Sequence, residues 1–164
     1  MRRATQGRCG RGHPNYDLYV AANRPQVQAG TGQSNGVRSG QQMYRAMRPE
    51  GSTGRPKIAN PDLGVRDVDV NVSVTGIILP GTGGMSVAPD RPENLHQSFK
   101  PSRFGGTGSK PVWVLDVADL PKELVYRPDP KKPSTHGFIE PAVSCTRIDY
   151  EKALASLADK WVLI

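Results

Sequence analysis

The chain has few cysteines, few aromatic residues and no long apolar segment. Its two cysteines, Cys9 and Cys145, lie far apart in 164 residues, which excludes a disulfide framework and indicates a reducing compartment. No apolar run approaches the ~18 residues of a transmembrane helix, so we expect no insertion into a membrane. Met1-Arg2-Arg3 begins like a signal peptide, but no sufficient apolar stretch follows, and we expect no export through the general secretory pathway.

Apolar and aromatic residues make up 36% and 6% of the chain, so the hydrophobic core must be small. Glycine and proline are abundant, with 18 and 15 residues, which indicates long loops or a disordered segment beside one domain. The charge is uneven. Residues 1–60 hold ten Lys/Arg and two acidic residues, a balance of +8, whereas residues 61–164 hold twelve and thirteen, a balance of −1.

Residues 1–40 form the first predicted segment, a basic arm rich in glycine and arginine. Glycines interrupt any regular spacing of apolar residues in this stretch, which favours a flexible arm over a folded element. Its arginines stand singly among small polar residues, so a solvated arm is favoured over a surface that contacts nucleic acid or an acidic partner. Residues 41–164 form the second predicted segment, a folded domain.

The pattern of the folded segment predicts short strands, much loop and one late helix. Alternating apolar and polar residues predict a half-buried strand over 68–74. Apolar runs predict further short strands at 43–47, 76–80, 112–117, 124–126, 137–139 and 142–143. A capping-box pattern from Thr146 and the apolar spacing after it predict an amphipathic helix over 147–161. The predicted fold class is therefore α+β, with a mixed or antiparallel sheet.

Arg45 is a candidate binding residue on the first predicted strand. Met43, Arg45 and Met47 share one face of that strand, while Tyr44 and Ala46 share the other. An arginine between two methionines either extends its head group to solvent or a partner, or points inward to hold a phosphate or carboxylate. The sequence leaves both interpretations open.

Two glycine-rich segments partly match phosphate-binding loops. Residues 81–86 (GTGGMS) follow a predicted strand, and closely spaced glycines let backbone N–H groups approach an anion. The G-x-G-x-x-G spacing is missing there, so phosphate contact and a plain loop are equally favoured. Residues 105–110 (GGTGSK) are followed by a proline and a strand instead of Ser/Thr and a helix, which favours a surface turn.

Three further side chains are candidates for chemistry. His136 opens a predicted strand, where a structural and a site role are equally favoured. Glu140 is either an exposed edge acid or an inward carboxylate, and exposure is favoured. Ser86 stands outside a G-x-S-x-G elbow, which disfavours a hydrolase nucleophile, and the histidines lack zinc-ligand spacing. Arg45 lies on an early predicted strand, the first glycine-rich segment ends in Ser86, and His136 and Glu140 lie on a late predicted strand. A split sheet that brought these residues together would suit a dinucleotide.

Four short segments resemble, in order, the motifs of one toxin family. They are Met43-Tyr44-Arg45-Ala46, residues 81–87 (GTGGMSV), residues 120–124 (LPKEL) and residues 135–141 (THGFIEP). They are similar to the LYRA strand, DTGGTSV loop, DIPPDL turn and THYTIMP strand of the toxins of the second type VI secretion effector family. The similarity covers residues 43–160. It implies a fold of ADP-ribosyltransferase type, with a split mixed or antiparallel β-sheet core, few helices and a C-terminal amphipathic helix.

The resemblance also implies a function and partners. It implies a bacterial toxin that acts on NAD as an ADP-ribosyltransferase in the cytoplasm of a target cell. The implied partners are an immunity (antitoxin) protein, a component of a secretion apparatus that delivers the toxin without a signal peptide, and a macromolecular target that the motifs do not identify. The alternative function is a non-enzymatic basic module that contacts nucleic acid or a secretion apparatus.

The resemblance assigns four residues to cofactor binding. Arg45 and Tyr44 match the early strand, where the arginine would pair with a diphosphate oxygen or a ribose hydroxyl of NAD. Gly83 and Gly84 match the loop whose backbone would allow the cofactor to approach closely.

Three other residues take the catalytic positions. Ser86 and His136 match positions that the family needs for toxicity, and His136 would bond the ribose or the nicotinamide amide. Met85 replaces a threonine of the family and Glu140 replaces a methionine. A carboxylate at Glu140 would stabilise the oxocarbenium-like transition state that forms as nicotinamide leaves NAD.

Overall fold

Residues 40–164 are described in the computed structural model of the chain. The predicted basic arm over residues 1–40 lies outside the described residues, apart from Gly40. The described part contains one α-helix, α1 (Arg147–Ala155), and eight strands. The strands are β1 (Gln42–Ala46), β2 (Ile77–Ile78), β3 (Met85–Pro89), β4 (Val112–Asp116), β5 (Leu124–Pro128), β6 (Gly137–Pro141), β7 (Cys145–Thr146) and β8 (Val162–Leu163).

Six of these strands form one sheet, and the other two form a separate pair. The order in the sheet is β5-β6-β3-β1-β4-β8, and β2 pairs with β7. Every pairing between these strands is antiparallel. The described domain is therefore α+β with an antiparallel sheet and a single helix, as the sequence pattern predicts.

The two faces of β1 belong to two different apolar clusters, which confirms the predicted alternation. Met43 and Met47 are fully buried in the main core, together with Trp113 of β4. Tyr44 belongs to a smaller cluster on the opposite face. Arg45 shares the face of the two methionines, so its charged head group must find polar partners beside the main core.

The helix is shorter than the predicted 147–161. α1 begins after Thr146, whose hydroxyl accepts a backbone N–H of the first turn, as the capping pattern predicts. Beyond α1, backbone bonds such as Leu157 N–H to the Leu154 carbonyl span three residues, so the chain continues in tight turns. Leu157 and Trp161 are buried all the same, because these turns keep their side chains against the core.

The predicted strand over 68–74 is wrong. The segment begins with a 3₁₀ turn at Asp67–Asp69, makes one isolated bridge from Val72 to Ile78, and turns again at residues 74–75. Val68 and Val74 are 83% and 107% exposed, so the alternating valines share no buried face. The Asp69 carboxylate accepts hydrogen bonds within its own turn, which competes with strand pairing.

The glycine-rich loop predicted over 81–86 ends earlier than expected, because Met85–Pro89 forms the central strand β3. Gly83 has φ +114°, and a Cβ there would lie 2.6 Å from the Asp69 carbonyl oxygen. A Cβ on Gly84 would lie 2.4 Å from the Ile139 carbonyl oxygen. Both glycines are thus needed for close packing of the chain against itself.

The Tyr150 hydroxyl joins the helix to two strands of the sheet. It donates to the Ile139 carbonyl of β6 at 2.6 Å and accepts from the Met85 N–H of β3 at 2.9 Å. The side chain is buried, and burial raises the pKa of Tyr150 well above its ordinary value, so the hydroxyl stays protonated and able to donate. Tyr150 therefore fixes β3 and β6 relative to α1.

We expect Tyr150→Phe to lower the free energy of unfolding by about 2–4 kcal/mol, because it leaves a buried N–H and a buried carbonyl unpaired. Tyr126→Phe is the matched control. The Tyr126 hydroxyl is buried without a hydrogen-bond partner among the described residues, so its removal should be neutral or slightly stabilising. Urea unfolding of the two variants measures the difference, and equal losses would contradict this account.

Candidate functional site

The sheet opens between β1 and β3. The two strands pair only at Met43–Pro89 and Tyr44–Ala88. Past these positions β1 stays paired with β4, and β3 stays paired with β6. The pairing between β1 and β3 therefore ends at Tyr44, and the sheet is open from Arg45 onward.

The Arg45 side chain bridges this opening. Its Nε donates to the Asp62 carbonyl at 2.9 Å, one Nη donates to the Pro61 carbonyl at 2.6 Å, and the other donates to the Ser86 carbonyl on β3. Burial lowers the pKa of Arg45 to about 10, so the guanidinium still carries its charge at neutral pH. One side chain thus joins β1, β3 and the segment around Asp62.

Asp62 is a fully buried acid whose carboxylate binds Arg48 and Lys110. Its carboxylate accepts from the Arg48 backbone N–H at 3.0 Å, from Arg48 Nε at 2.8 Å and from Lys110 Nζ at 2.7 Å. Burial works to raise the pKa of Asp62, but the hydrogen bonds from Lys110 and Arg48 outweigh it and hold the pKa below its ordinary value. Asp62 is therefore ionised and holds Lys110 at the opening.

A cavity of about 230 Å³ lies at the open part of the sheet. Arg45, Ser86 and His136 all line it, although they are far apart in the chain. Lys110 and Asp69 line it as well. The structure thus brings three of the sequence-predicted site residues to one concave surface.

Cations outnumber carboxylates around this cavity. Arg45, Arg66 and Lys110 line it, and Asp69 is the one acidic residue among the described lining residues. Arg66 and Lys110 are paired with carboxylates, whereas the three hydrogen bonds of Arg45 all go to neutral carbonyls. The charge of Arg45 is therefore not cancelled by a directly bonded acid, and the cavity favours an anionic ligand.

Asp69 is a site residue that sequence reasoning missed. Its carboxylate accepts from the Arg66 N–H at 2.9 Å, from Arg66 Nε at 3.0 Å and from Arg66 Nη2 at 2.7 Å. Burial works to raise the pKa of Asp69, but the hydrogen bonds from Arg66 prevail and lower it, so the group is an anion at neutral pH. Because residues 68–74 were wrongly predicted to form a strand, Asp69 was not identified as a turn residue of the site.

Lys110 was also missed, since the segment 105–110 favours a surface turn over a phosphate loop. The chain does turn there, with Gly105 in the left-handed region at φ +82°. Lys110 nevertheless reaches the cavity, because the buried Asp62 holds its ammonium group. The spacing of glycines carried no signal for this contact, since Asp62 lies 48 positions earlier in the chain.

His136 lies immediately before β6 and lines the cavity with a third of its side chain exposed. Its Nδ1 lies 2.7 Å from Asp129 Oδ2. The ring also packs edge-on against Phe138, with 4.7 Å between the ring centroids. The imidazole is thus held on two sides.

Four of the sequence-predicted site residues do not line this cavity. Tyr44 belongs to the smaller apolar cluster, and its hydroxyl donates to Gln42 Oε1 at 2.6 Å. Ala88 and Leu95 of that cluster line the cavity, but Tyr44 does not. Gly83 and Gly84 pack against neighbouring backbone. Glu140 is 1% exposed and pairs with Arg127, so the favoured expectation of an exposed Glu140 is wrong.

Neither a metal centre nor a membrane-spanning element is found in the described part of the chain. No group of three or more His, Cys, Asp or Glu side chains within residues 40–164 is arranged to hold a metal ion. Within the same residues, no helix combines the length and the apolar character needed to cross a membrane.

Comparisons with protein-family models, with curated proteins and with solved structures found no match to this chain. The geometry and charge of the cavity therefore form the basis for a functional proposal.

We expect Arg45→Ala to lower the free energy of unfolding by about 3 kcal/mol or more, because three carbonyls lose a charged donor at once. Arg91→Ala removes the same charge from an exposed position and should cost less than about 1 kcal/mol. Urea unfolding of both variants tests the bridging role of Arg45. An Arg45→Ala protein as stable as the Arg91→Ala control would contradict that role.

Proposed function

We propose that the chain binds NAD in the cavity between β1 and β3 and breaks its nicotinamide–ribose bond, as an ADP-ribosyltransferase-like domain. The observation that carries the proposal is the meeting of Arg45, Ser86 and His136 at one cationic cavity. These are the residues to which the motif resemblance assigns cofactor binding and activity. A dinucleotide supplies the anionic diphosphate that such a cavity favours.

The size of the cavity fits one half of the dinucleotide. Cavities that enclose a drug-sized ligand usually measure about 300–1,000 Å³. A cavity of about 230 Å³ suits the nicotinamide ribose, with the rest of NAD lying outside it. Lys110 and Arg66 are the other cationic side chains at the cavity, and each is already paired with a carboxylate.

Arg45 keeps donors for a ligand. A guanidinium has five N–H bonds, and three of those in Arg45 are used by backbone carbonyls. The other two are available to a phosphate or ribose oxygen. The carbonyl contacts fix the direction of these donors in advance, which reduces the entropy lost on binding.

Ser86 and His136 present polar atoms on the same surface. The Ser86 hydroxyl makes no hydrogen bond within residues 40–164, so it is available to a ligand. The Ser86 carbonyl is the acceptor for Arg45. A single residue of β3 therefore both orients the arginine and offers a hydroxyl.

We assign the carboxylate of the reaction to Asp69. Loss of nicotinamide builds positive charge on the ribose, and an ionised carboxylate nearby stabilises that charge. Asp69 is ionised and lines the cavity. Glu140 has no part in this proposal, since its buried side chain pairs with the half-exposed Arg127 and does not line the cavity.

The biological setting of the proposal rests on the four motifs that match the toxin family in order. We propose a toxin that acts in the cytoplasm of a target cell, reaches it through a secretion apparatus and is neutralised by an immunity protein. The acceptor of the ADP-ribose group is a macromolecule or a small molecule. Analysis of the reaction products would identify it. A toxin of this kind can act only if it binds NAD, so the experiment below tests the NAD site.

The test is release of nicotinamide from NAD by the purified full chain, measured by chromatography. Asp69→Asn should lower the rate about a hundredfold, because it removes the charge that stabilises the transition state. Ser86→Ala should lower kcat/KM about tenfold, because it removes one hydrogen bond to the ligand. Ser86→Ala removes no hydrogen bond within residues 40–164 and should unfold at the same urea concentration as the unaltered chain. Asp69→Asn weakens the bonds from Arg66 and should unfold at a somewhat lower urea concentration, while remaining folded in the assay.

Matched controls separate the site from general effects. Asp119→Asn and Ser102→Ala make the same chemical changes at residues that do not line the cavity, and both should leave the rate unchanged. Absence of nicotinamide release and of NAD binding by the folded full chain would refute the proposed function. Equal losses in the control variants would refute the assigned site.

A further inference from the structure

The contact between His136 and Asp129 has no role in the function proposed above. Asp129 follows the end of β5, and His136 precedes β6, so the two residues stand at the ends of the loop that joins these strands. His136 lines the cavity, whereas Asp129 does not. Any influence of Asp129 on a ligand must therefore pass through the imidazole.

The protonation state of Asp129 decides which nitrogen of His136 carries the hydrogen. The Lys131 backbone N–H donates to Asp129 Oδ1 at 2.9 Å, and this bond, followed by the one to His136, lowers the pKa of Asp129 below its ordinary value. Asp129 is thus an ionised carboxylate, and an ionised carboxylate can only accept hydrogen bonds. The 2.7 Å contact from Oδ2 to Nδ1 therefore requires the hydrogen on Nδ1.

The loop that carries this pair is closed by its own backbone. The Asp129 N–H donates to the His136 carbonyl at 3.0 Å, and the His136 N–H donates to the Lys132 carbonyl at 2.9 Å. The Asn94 side chain donates to the Ser134 carbonyl at 3.0 Å and to the Pro89 carbonyl at 2.8 Å, which ties the loop to the end of β3. The carboxylate and the imidazole thus have fixed positions before any ligand binds.

We propose that Asp129 is a positioning residue that holds His136 in the Nδ1–H tautomer, so that Nε2 offers a lone pair to the cavity. In this state His136 accepts a hydrogen bond from a hydroxyl or amide N–H of the ligand, or takes a proton from it. The tautomer follows from the contact between Oδ2 and Nδ1 and from the ionised state of Asp129, and it does not depend on the proposed function. Its consequence for NAD rests on the proposed function, since a ribose hydroxyl and the nicotinamide carboxamide are the donors that NAD offers.

One substitution reverses the tautomer with little change of shape. Asp129→Asn keeps an oxygen for the Lys131 N–H and replaces Oδ2 by an NH₂ group facing His136. An NH₂ group donates, so Nδ1 must become the acceptor and the hydrogen moves to Nε2. The same replacement in a catalytic triad, a standard example of this effect, also leaves the wrong tautomer.

The first measurement is the tautomer itself, read from two-bond ¹H–¹⁵N correlations of the labelled full chain at a pH where the imidazole is neutral. The His136 signals are identified by their loss in His136→Gln. The unaltered chain and the charge control Asp119→Asn should show the Nδ1–H form, and Asp129→Asn should show the Nε2–H form. An Nε2–H or doubly protonated His136 ring in the unaltered chain, or an unchanged ring in Asp129→Asn, would overturn the proposal.

The second measurement is nicotinamide release. Asp129→Asn should lower kcat/KM about ten- to a hundredfold, because the ligand donor then meets an N–H instead of a lone pair. Its unfolding midpoint should match that of the Asp119→Asn control. A reversed tautomer with an unchanged rate would overturn the positioning role. If the full chain does not act on NAD at all, the proposed function fails while the tautomer measurement still decides the assignment.

Discussion

The contact between the Arg45 guanidinium and three backbone carbonyls is the constraint on which the site depends. Two antiparallel strands that stop pairing leave polar backbone groups without partners, and a buried unpaired carbonyl costs free energy. Arg45 resolves this for Ser86 on β3 and for the Pro61–Asp62 segment with one side chain. The same contacts keep the opening in the sheet from closing and leave a positive charge at its base.

Two sets of residues build the site: those that line the cavity, and those that hold the lining residues in position. Asp62 is ionised and buried, and it holds Lys110 toward the cavity. Asp129 stands in the same relation to His136, although it lies nearer the surface. In each case a carboxylate that does not line the cavity sets the position of a residue that does, and such support is what a precise site requires. The residues that contact a ligand and the residues that orient them are thus largely separate.

The sequence predicted the class of fold and part of the site, and the failures have physical causes. The strand predicted at 43–47 placed the two faces of β1 correctly, because successive side chains of a strand alternate between its faces with a period of two. The same period over 68–74 was misleading, because Asp69 bonds within its own turn. Local pattern also could not find Asp62 and Lys110, whose contact spans 48 positions of the chain. Gly83 and Gly84 were predicted to let a cofactor approach closely, whereas in the structure both pack against the chain's own backbone.

The most direct test of the account is hydrogen–deuterium exchange of the full chain with and without NAD. Residues 61–69 and 134–138 contain residues that line the cavity, and their amides should exchange more slowly when NAD is bound. The loop over residues 50–55, which contributes no residue to the lining, should be unaffected and serves as the internal reference. Unchanged exchange in both lining loops at saturating NAD, or protection confined to other parts of the domain, would contradict the placement of the ligand.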